Sequence, residues 1–175
     1  MGKVILPYYI SLLGKQLTVR TKVNMAVINT GITLSIEQQL TLCKEFTDKE
    51  IKEAMFSILN FKSPGLDGYN SGFYKPTWHT LGPLVCAAIK DFFTMRKMTR
   101  YFNAIKFVLI PKVQQPQTPA DFRPISCCNV VSKCIAKLLS ARIKQVLPIL
   151  ISQNQSALVP NWELLYNIMI CQDII

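Results

Sequence analysis

Histidine is almost missing: His79 stands alone among 175 residues. The cysteines, Cys43, Cys86, Cys127, Cys128, Cys134 and Cys171, include no C-x-x-C pair. Together these absences exclude a zinc site of the usual spacing. Most of the cysteines lie among apolar residues and read as small packing groups, which fits a reducing, intracellular setting better than a disulfide framework. Long apolar runs are also missing. No stretch of about 18 uncharged apolar residues occurs, so no membrane span is expected. Met1 to Gly14 is apolar with one lysine, but Pro7 interrupts it and no small-residue cleavage site follows, so a secretory leader is not expected.

Acidic residues are few as well. Ten Asp and Glu face 20 Lys and Arg, giving a net charge of +10. The excess is local. Residues 61–147 hold 13 basic and 3 acidic residues, whereas residues 148–175 hold no Lys or Arg. A basic block of this kind suits a polyanion, because each neutralised phosphate releases counterions. It also serves as a solvated face that keeps a protein soluble. Half of the residues are hydrophobic, enough to bury a core, and nothing in the composition reads as disordered.

Local patterns predict an α+β chain, mostly helical with one antiparallel β-hairpin. Residues 1–33 show no clear period and read as an irregular lead-in; residues 1–45 form the lead-in or linker segment. Ser35 with Gln38, and Thr47 with Glu50, are capping-box pairs. They open helices running to about Lys44 and about Leu59. Lys62 to Gly68 is a dense turn cluster. A helix starts near Asn70 and covers Phe73, Tyr74 and Trp78. Gly82-Pro83 is read as its end and as the start of another helix, Pro83 suiting a first turn. Ala104 to Pro111 is short and β-prone, as is Phe122 to Cys127, and the Pro-rich segment between them makes a hairpin with a long tip. Val131, Cys134, Ile135, Leu138, Ile143 and Val146 then recur at helical spacing, predicting a helix over about 129–147 ended by Pro148. Leu164 to Ile175 reads as a final helix.

Several motifs in one order resemble the LINE-type (non-LTR retrotransposon) reverse transcriptases. Lys62-Ser63-Pro64-Gly65-Leu66-Asp67-Gly68 is similar to that family's K-S-P-G-x-D-G block, with Gly72-Phe73-Tyr74-Lys75 and Trp78 after it. Leu109-Ile110-Pro111-Lys112 is the second piece, and Asp121-Phe122-Arg123-Pro124-Ile125-Ser126, running into Asn129 and Lys133, the third. Gln153-Asn154-Gln155-Ser156-Ala157 looks like the next block. The resemblance covers roughly residues 46–159. It implies that residues 46–175 are a partial reverse transcriptase domain: the fingers part of a right-hand polymerase and the start of the palm, with the rest of palm and thumb missing. After Val159-Pro160 the sequence departs from the family, with Asn161, Trp162, Tyr166 and Asn167 where Gly-Arg and then Asp-Asn are usual. That departure points to a decaying gene copy.

The chemistry implied is RNA-directed DNA polymerisation, a nucleotidyl transfer in which two metal ions roughly 4 Å apart are held by carboxylates. None of Asp48, Asp67, Asp91, Asp121 and Asp173 is spaced to share a metal with another. Hence no catalytic or metal-binding residue is assigned, the chain alone is expected to be inactive, and it is expected to hold no cofactor, Mg2+ being implied only for the full-length family enzyme. By resemblance, Lys112 and Arg123 would contact the phosphates of an incoming deoxynucleoside triphosphate (dNTP); a lysine point charge and an arginine fork suit that role, and surface charges at a hairpin tip are the plainer reading. Lys62 and Ile125 are assigned to the template by the same resemblance. Lys133, Lys137, Arg142 and Lys144 are read as lying off the apolar stripe of their helix, either following a template backbone or forming its solvated side. Phe122 and Ile125 are also expected to pack the hairpin onto that helix. Partners would be an RNA template, a DNA primer and dNTP, with no membrane, in an intracellular compartment that includes the nucleus among its candidates. The alternatives are a non-enzymatic basic nucleic-acid-binding module and a non-functional retroelement remnant.

Overall fold

The computed structural model describes residues 2–14, 24–26 and 30–151. The helix expected over Leu164–Ile175 and the Gln153–Ala157 block lie outside the described residues. The order of elements is α1 (Gly2–Leu13), α2 (Ile36–Cys43), α3 (Asp48–Phe56), α4 (Ser71–Tyr74), α5 (Trp78–Met95), α6 (Arg100–Asn103), β1 (Lys106–Pro111), a 3-10 turn (Pro119–Asp121), β2 (Phe122–Cys127), α7 (Val130–Lys144) and α8 (Leu147–Leu150). The described residues are therefore mostly helical, with one antiparallel two-stranded sheet.

Both capping boxes form. Ser35 Oγ accepts from the Gln38 amide at 3.3 Å, and the Gln38 side chain accepts from the Ser35 amide at 2.9 Å. Thr47 and Glu50 repeat the exchange at 3.2 and 2.8 Å, so two otherwise unpaired amides are satisfied at the start of each helix. Asp48 lies in the first turn, and its carboxylate pairs with Lys90 at 2.7 Å.

The core joins three helices. Ile51, Met55 and Ile58 from α3 and the residues after it meet Val85, Cys86 and Ile89 of α5. Val130, Val131, Cys134, Ile135 and Leu138 of α7 close the cluster. Each set repeats at three or four residues and so occupies one helical face. Ile51, Met55 and Ile89 are fully buried, each contributing about 2 kcal/mol by removal from water.

The helix expected from Asn70 through Trp78 is two, α4 and α5, parted at residues 75–77. Four further expectations are corrected. First, α5 runs unbroken through Gly82-Pro83. Pro83 sits only one turn in, where it forfeits a single backbone bond, and Gly82 leaves room for the Trp78 ring: a Cβ there would meet Trp78 Nε1 at 2.8 Å. Second, residues 2–13 are helical despite Pro7. This helix is held by packing rather than by periodicity, and Tyr9 Oη donates to the carbonyls of Phe122 (3.2 Å) and Pro119 (3.4 Å) on the hairpin. Third, Arg142 is buried rather than solvated. The stripe of α7 continues from Leu138 to position 142, leaving Ile143 exposed. The Arg142 guanidinium lies 3.5 Å from the centre of the Phe46 ring, donates to the carbonyls of Lys44 and Leu42, and pairs with Glu50 at 3.4 Å. Fourth, Ile125 does not pack on α7; it is exposed, and Cys127 is the buried residue where β2 runs into that helix. At the other end of α7 the helix closes at Lys144, and Pro148 lies in the first turn of α8.

Candidate nucleotide and nucleic-acid surface

The hairpin pairs Lys106 with Cys127, Val108 with Ile125, and Ile110 with Arg123. The ladder continues one step beyond β1, where the Lys112 amide donates to the Asp121 carbonyl at 2.7 Å. Alternation from that bond makes Ile110–Arg123 and Val108–Ile125 the hydrogen-bonding pairs. It also turns the nitrogens of Pro111 and Pro124 away from the ladder, which is why two prolines fit in so short a sheet.

Side chains alternate across the two faces. One face carries Phe107, Leu109 and Pro124. These line an apolar groove of about 490 Å³ shared with Ile5, Leu6, Tyr9 and Ile10 of α1. The other carries Val108, Ile110 and Ile125, between 41% and 45% exposed, together with Arg123 and, by alternation, Lys112. Because α1 lies against the first face, the cations stand on the uncovered one. Lys112 and Arg123 are diagonal neighbours across the strands, roughly 7–8 Å apart at their backbones, within reach of one another for such long side chains.

The tip is built to hold that arrangement. Lys112 Nζ donates to the Ala120 carbonyl at 2.7 Å, leaving two of its three donors. Asp121 faces inward: its Oδ2 accepts from the amides of Gln117 (3.0 Å) and Thr118 (2.7 Å) and from Thr118 Oγ1 (3.0 Å). The Thr118 bonds, with smaller help from Gln117 and Lys112, hold the Asp121 carboxyl below the usual aspartate range, so the tip keeps a carboxylate committed to its own backbone. Arg123 forms no ion pair among the described residues.

The other basic residues fall elsewhere. Lys133 Nζ donates to the Ser63 carbonyl, and Lys137 Nζ to Ser57 Oγ (2.9 Å) and the Ser57 carbonyl (3.2 Å). Both lysines therefore tie α7 to the chain that leaves α3, and each retains a donor for another partner. Lys62 is exposed at the head of the turn cluster, beside Phe61. Lys62 and Lys133 thus border the Lys62–Gly68 loop and Lys137 the end of α3, whereas Lys112, Arg123 and Ile125 lie on the hairpin.

That loop owes its position to Gly65. A Cβ on Gly65 would meet the Asn129 nitrogen at 2.5 Å and its Cα at 2.7 Å, so the loop backbone lies directly on the junction of β2 and α7. Asp67 Oδ1 accepts from the Tyr69 amide at 3.3 Å, an Asx-turn, and Gly68 takes φ 76°. Two motifs about 60 residues apart are thereby joined.

Among the described residues, no group of three or more His, Cys, Asp or Glu side chains could hold a metal ion. Asp48, Asp67 and Asp121 are each engaged separately, with Lys90, the Tyr69 amide and the backbone of the hairpin tip. Among the described residues, likewise, no helix is long and apolar enough to cross a membrane.

No family model matches the chain. It is 29% identical over 126 residues to an uncharacterized 149 kDa protein of transposon TX1 from Xenopus laevis. The match takes in 72% of this chain and 10% of that protein, so the chain spans about a tenth of the relative's length.

Proposed function

We propose that this chain is a segment of a retroelement reverse transcriptase, its fingers portion, and that the uncovered face of the hairpin holds the triphosphate of an incoming dNTP. The observation that carries this reading is the strand register, which sets Arg123 against Ile110 and brings Lys112 onto the same open face. The likeness to a transposon protein supports an origin in a mobile element.

In this reading Arg123 offers a planar fork to two phosphate oxygens, and Lys112 adds a point charge already steadied by Ala120. Val108, Ile110 and Ile125 give the sugar and base an apolar floor. Lys62, Lys133 and Lys137 border the path of an RNA template, the last two serving also as struts. The chain positions and neutralises; the carboxylates that would hold Mg2+ for attack by the primer 3′-hydroxyl are not drawn from the described residues.

Equilibrium binding of a dNTP tests the phosphate site. Arg123→Ala weakens it by about tenfold, an exposed charged hydrogen bond being worth about 1.5 kcal/mol at the low end of its range. Lys112→Ala weakens it less, because part of that ammonium already serves the tip. Binding unchanged by both substitutions overturns the assignment. Primer extension tests the division of labour: the 175-residue chain supports none with Mg2+ or Mn2+, and robust extension would contradict it.

A further inference from the structure

Two prolines follow a hydroxyl-bearing residue: Pro64 after Ser63, and Pro119 after Thr118. The fold treats the two hydroxyls oppositely. Thr118 is tied at three points. Its Oγ1 donates to Asp121 Oδ2 at 3.0 Å, its amide donates to the same oxygen at 2.7 Å, and its carbonyl accepts from the Asp121 amide at 3.1 Å. Among the described residues, no hydrogen bond engages the Ser63 hydroxyl.

Ser63 belongs to an unbroken exposed run, residues 59–64, in which Phe61 is 96% exposed. The run is held at both ends. On the near side, Lys75 Nζ donates to the Ile58 carbonyl at 2.7 Å and to Asn60 Oδ1 at 2.6 Å. On the far side, Gly65 lies on the Asn129 backbone. Pro64 biases Ser63 toward extended backbone and has no amide hydrogen of its own. An extended, solvated Ser-Pro step suits a proline-directed protein kinase, whose cleft accepts a following residue with no amide to pair.

The surroundings of this hydroxyl are cationic. Lys62 precedes it, and Lys133 Nζ donates to the Ser63 carbonyl while keeping two donors. Neither ion pair among the described residues engages Lys62 or Lys133. Asp67, the carboxylate of the turn cluster, accepts from the Tyr69 amide. An ammonium already seated on the serine's own carbonyl is within reach of a phosphate on its Oγ.

We propose that Ser63 is a phosphorylation site for a proline-directed protein kinase, and that its phosphate clamps the turn cluster to Lys133 of α7. The γ-phosphoryl group of ATP passes to Ser63 Oγ. The new O–P bond forms as the bond to the β-phosphate oxygen breaks, ADP leaves, and the hydroxyl proton goes to the kinase's base. The product carries up to two negative charges and three acceptor oxygens, which fit the free donors of Lys133. Thr118 is spared, because its hydroxyl must first leave Asp121, whose carboxylate also repels the incoming phosphate. The site stands whether or not the hairpin binds a nucleotide.

The test is incubation of the full chain with a purified proline-directed kinase and ATP, the phosphate being located by peptide mass analysis. Ser63 gains a phosphate and Thr118 does not; Ser63→Ala removes the incorporation and Thr118→Ala leaves it. No phosphate on Ser63, or Thr118 modified as fast, overturns the site. Thermal melting of the modified chain tests the clamp. Its midpoint rises by about 3 °C, the shift of one exposed charged contact in a chain of this length. The rise shrinks with added salt and is absent in Lys133→Gln. A midpoint unmoved by phosphorylation, or moved equally in Lys133→Gln, overturns the clamp.

Discussion

Replacing Gly65 by alanine tests how the two motifs are joined. The new Cβ would lie 2.5 Å from the Asn129 nitrogen and 2.7 Å from its Cα, both backbone atoms at the start of α7. Ordinary contact begins near 3.4 Å. The loop or the helix start must therefore withdraw by close to an ångström, and neither neighbour is a flexible side-chain end. Overpacking of this kind costs about 1–3 kcal/mol, and the middle of that range is expected. Gly68 provides the contrast. It has open space around it but φ 76°, so alanine there costs roughly 1 kcal/mol of backbone strain. The two mechanisms separate with asparagine, which tolerates the left-handed region. Gly68→Asn recovers most of the loss, whereas Gly65→Asn is at least as harmful as Gly65→Ala. Urea unfolding of the four variants, compared at constant slope, gives the numbers. Gly65→Ala within 0.5 kcal/mol of the parent, a margin usual for unconstrained surface sites, would refute the close approach.

Arg142→Met removes the donor to the Lys44 and Leu42 carbonyls and the charge over the Phe46 ring. A loss of about 3 kcal/mol is expected by urea unfolding, the low end for a broken buried pair, because Glu50 stays half exposed and solvated. The Glu50 carboxyl is held below the usual glutamate range, first by the Thr47 amide and, with smaller effect, by Arg142. Its folded value lies under its unfolded one, so the stabilisation is complete above the ordinary glutamate range and is lost as pH falls through the folded value. Stability measured against pH should show a shallower acid limb in Glu50→Gln. Burial pushes the Cys134 thiol up to about 12, while Cys43 is exposed. Alkylation of the native protein at neutral pH, followed by peptide mass analysis, should modify Cys43 and spare Cys134.

The elements that were legible in the sequence are those with a local cause. Ser35 with Gln38 and Thr47 with Glu50 announce helix starts because the capping bonds are made within four residues. The paired strands follow from β-prone residues on either side of a Pro-rich tip. What escaped depends on distant partners. The helix at residues 2–13 has no periodic stripe, and its anchor, Tyr9, reaches the hairpin more than 100 residues away. Pro83 resembles a helix start, but one missing bond in the second turn is tolerated. Arg142 looked solvated by residue type, although its stem and flat head complete an apolar stripe over Phe46.

Methyl NMR of the isoleucine-, leucine- and valine-labelled protein during titration with a dNTP tests the central claim most directly, because methyl groups report one face of the hairpin at a time. Shifts concentrated at Val108, Ile110 and Ile125, with Leu109 on the α1 side little changed, are the predicted result. Shifts led by Leu109, or none on the hairpin at saturating nucleotide, would contradict it.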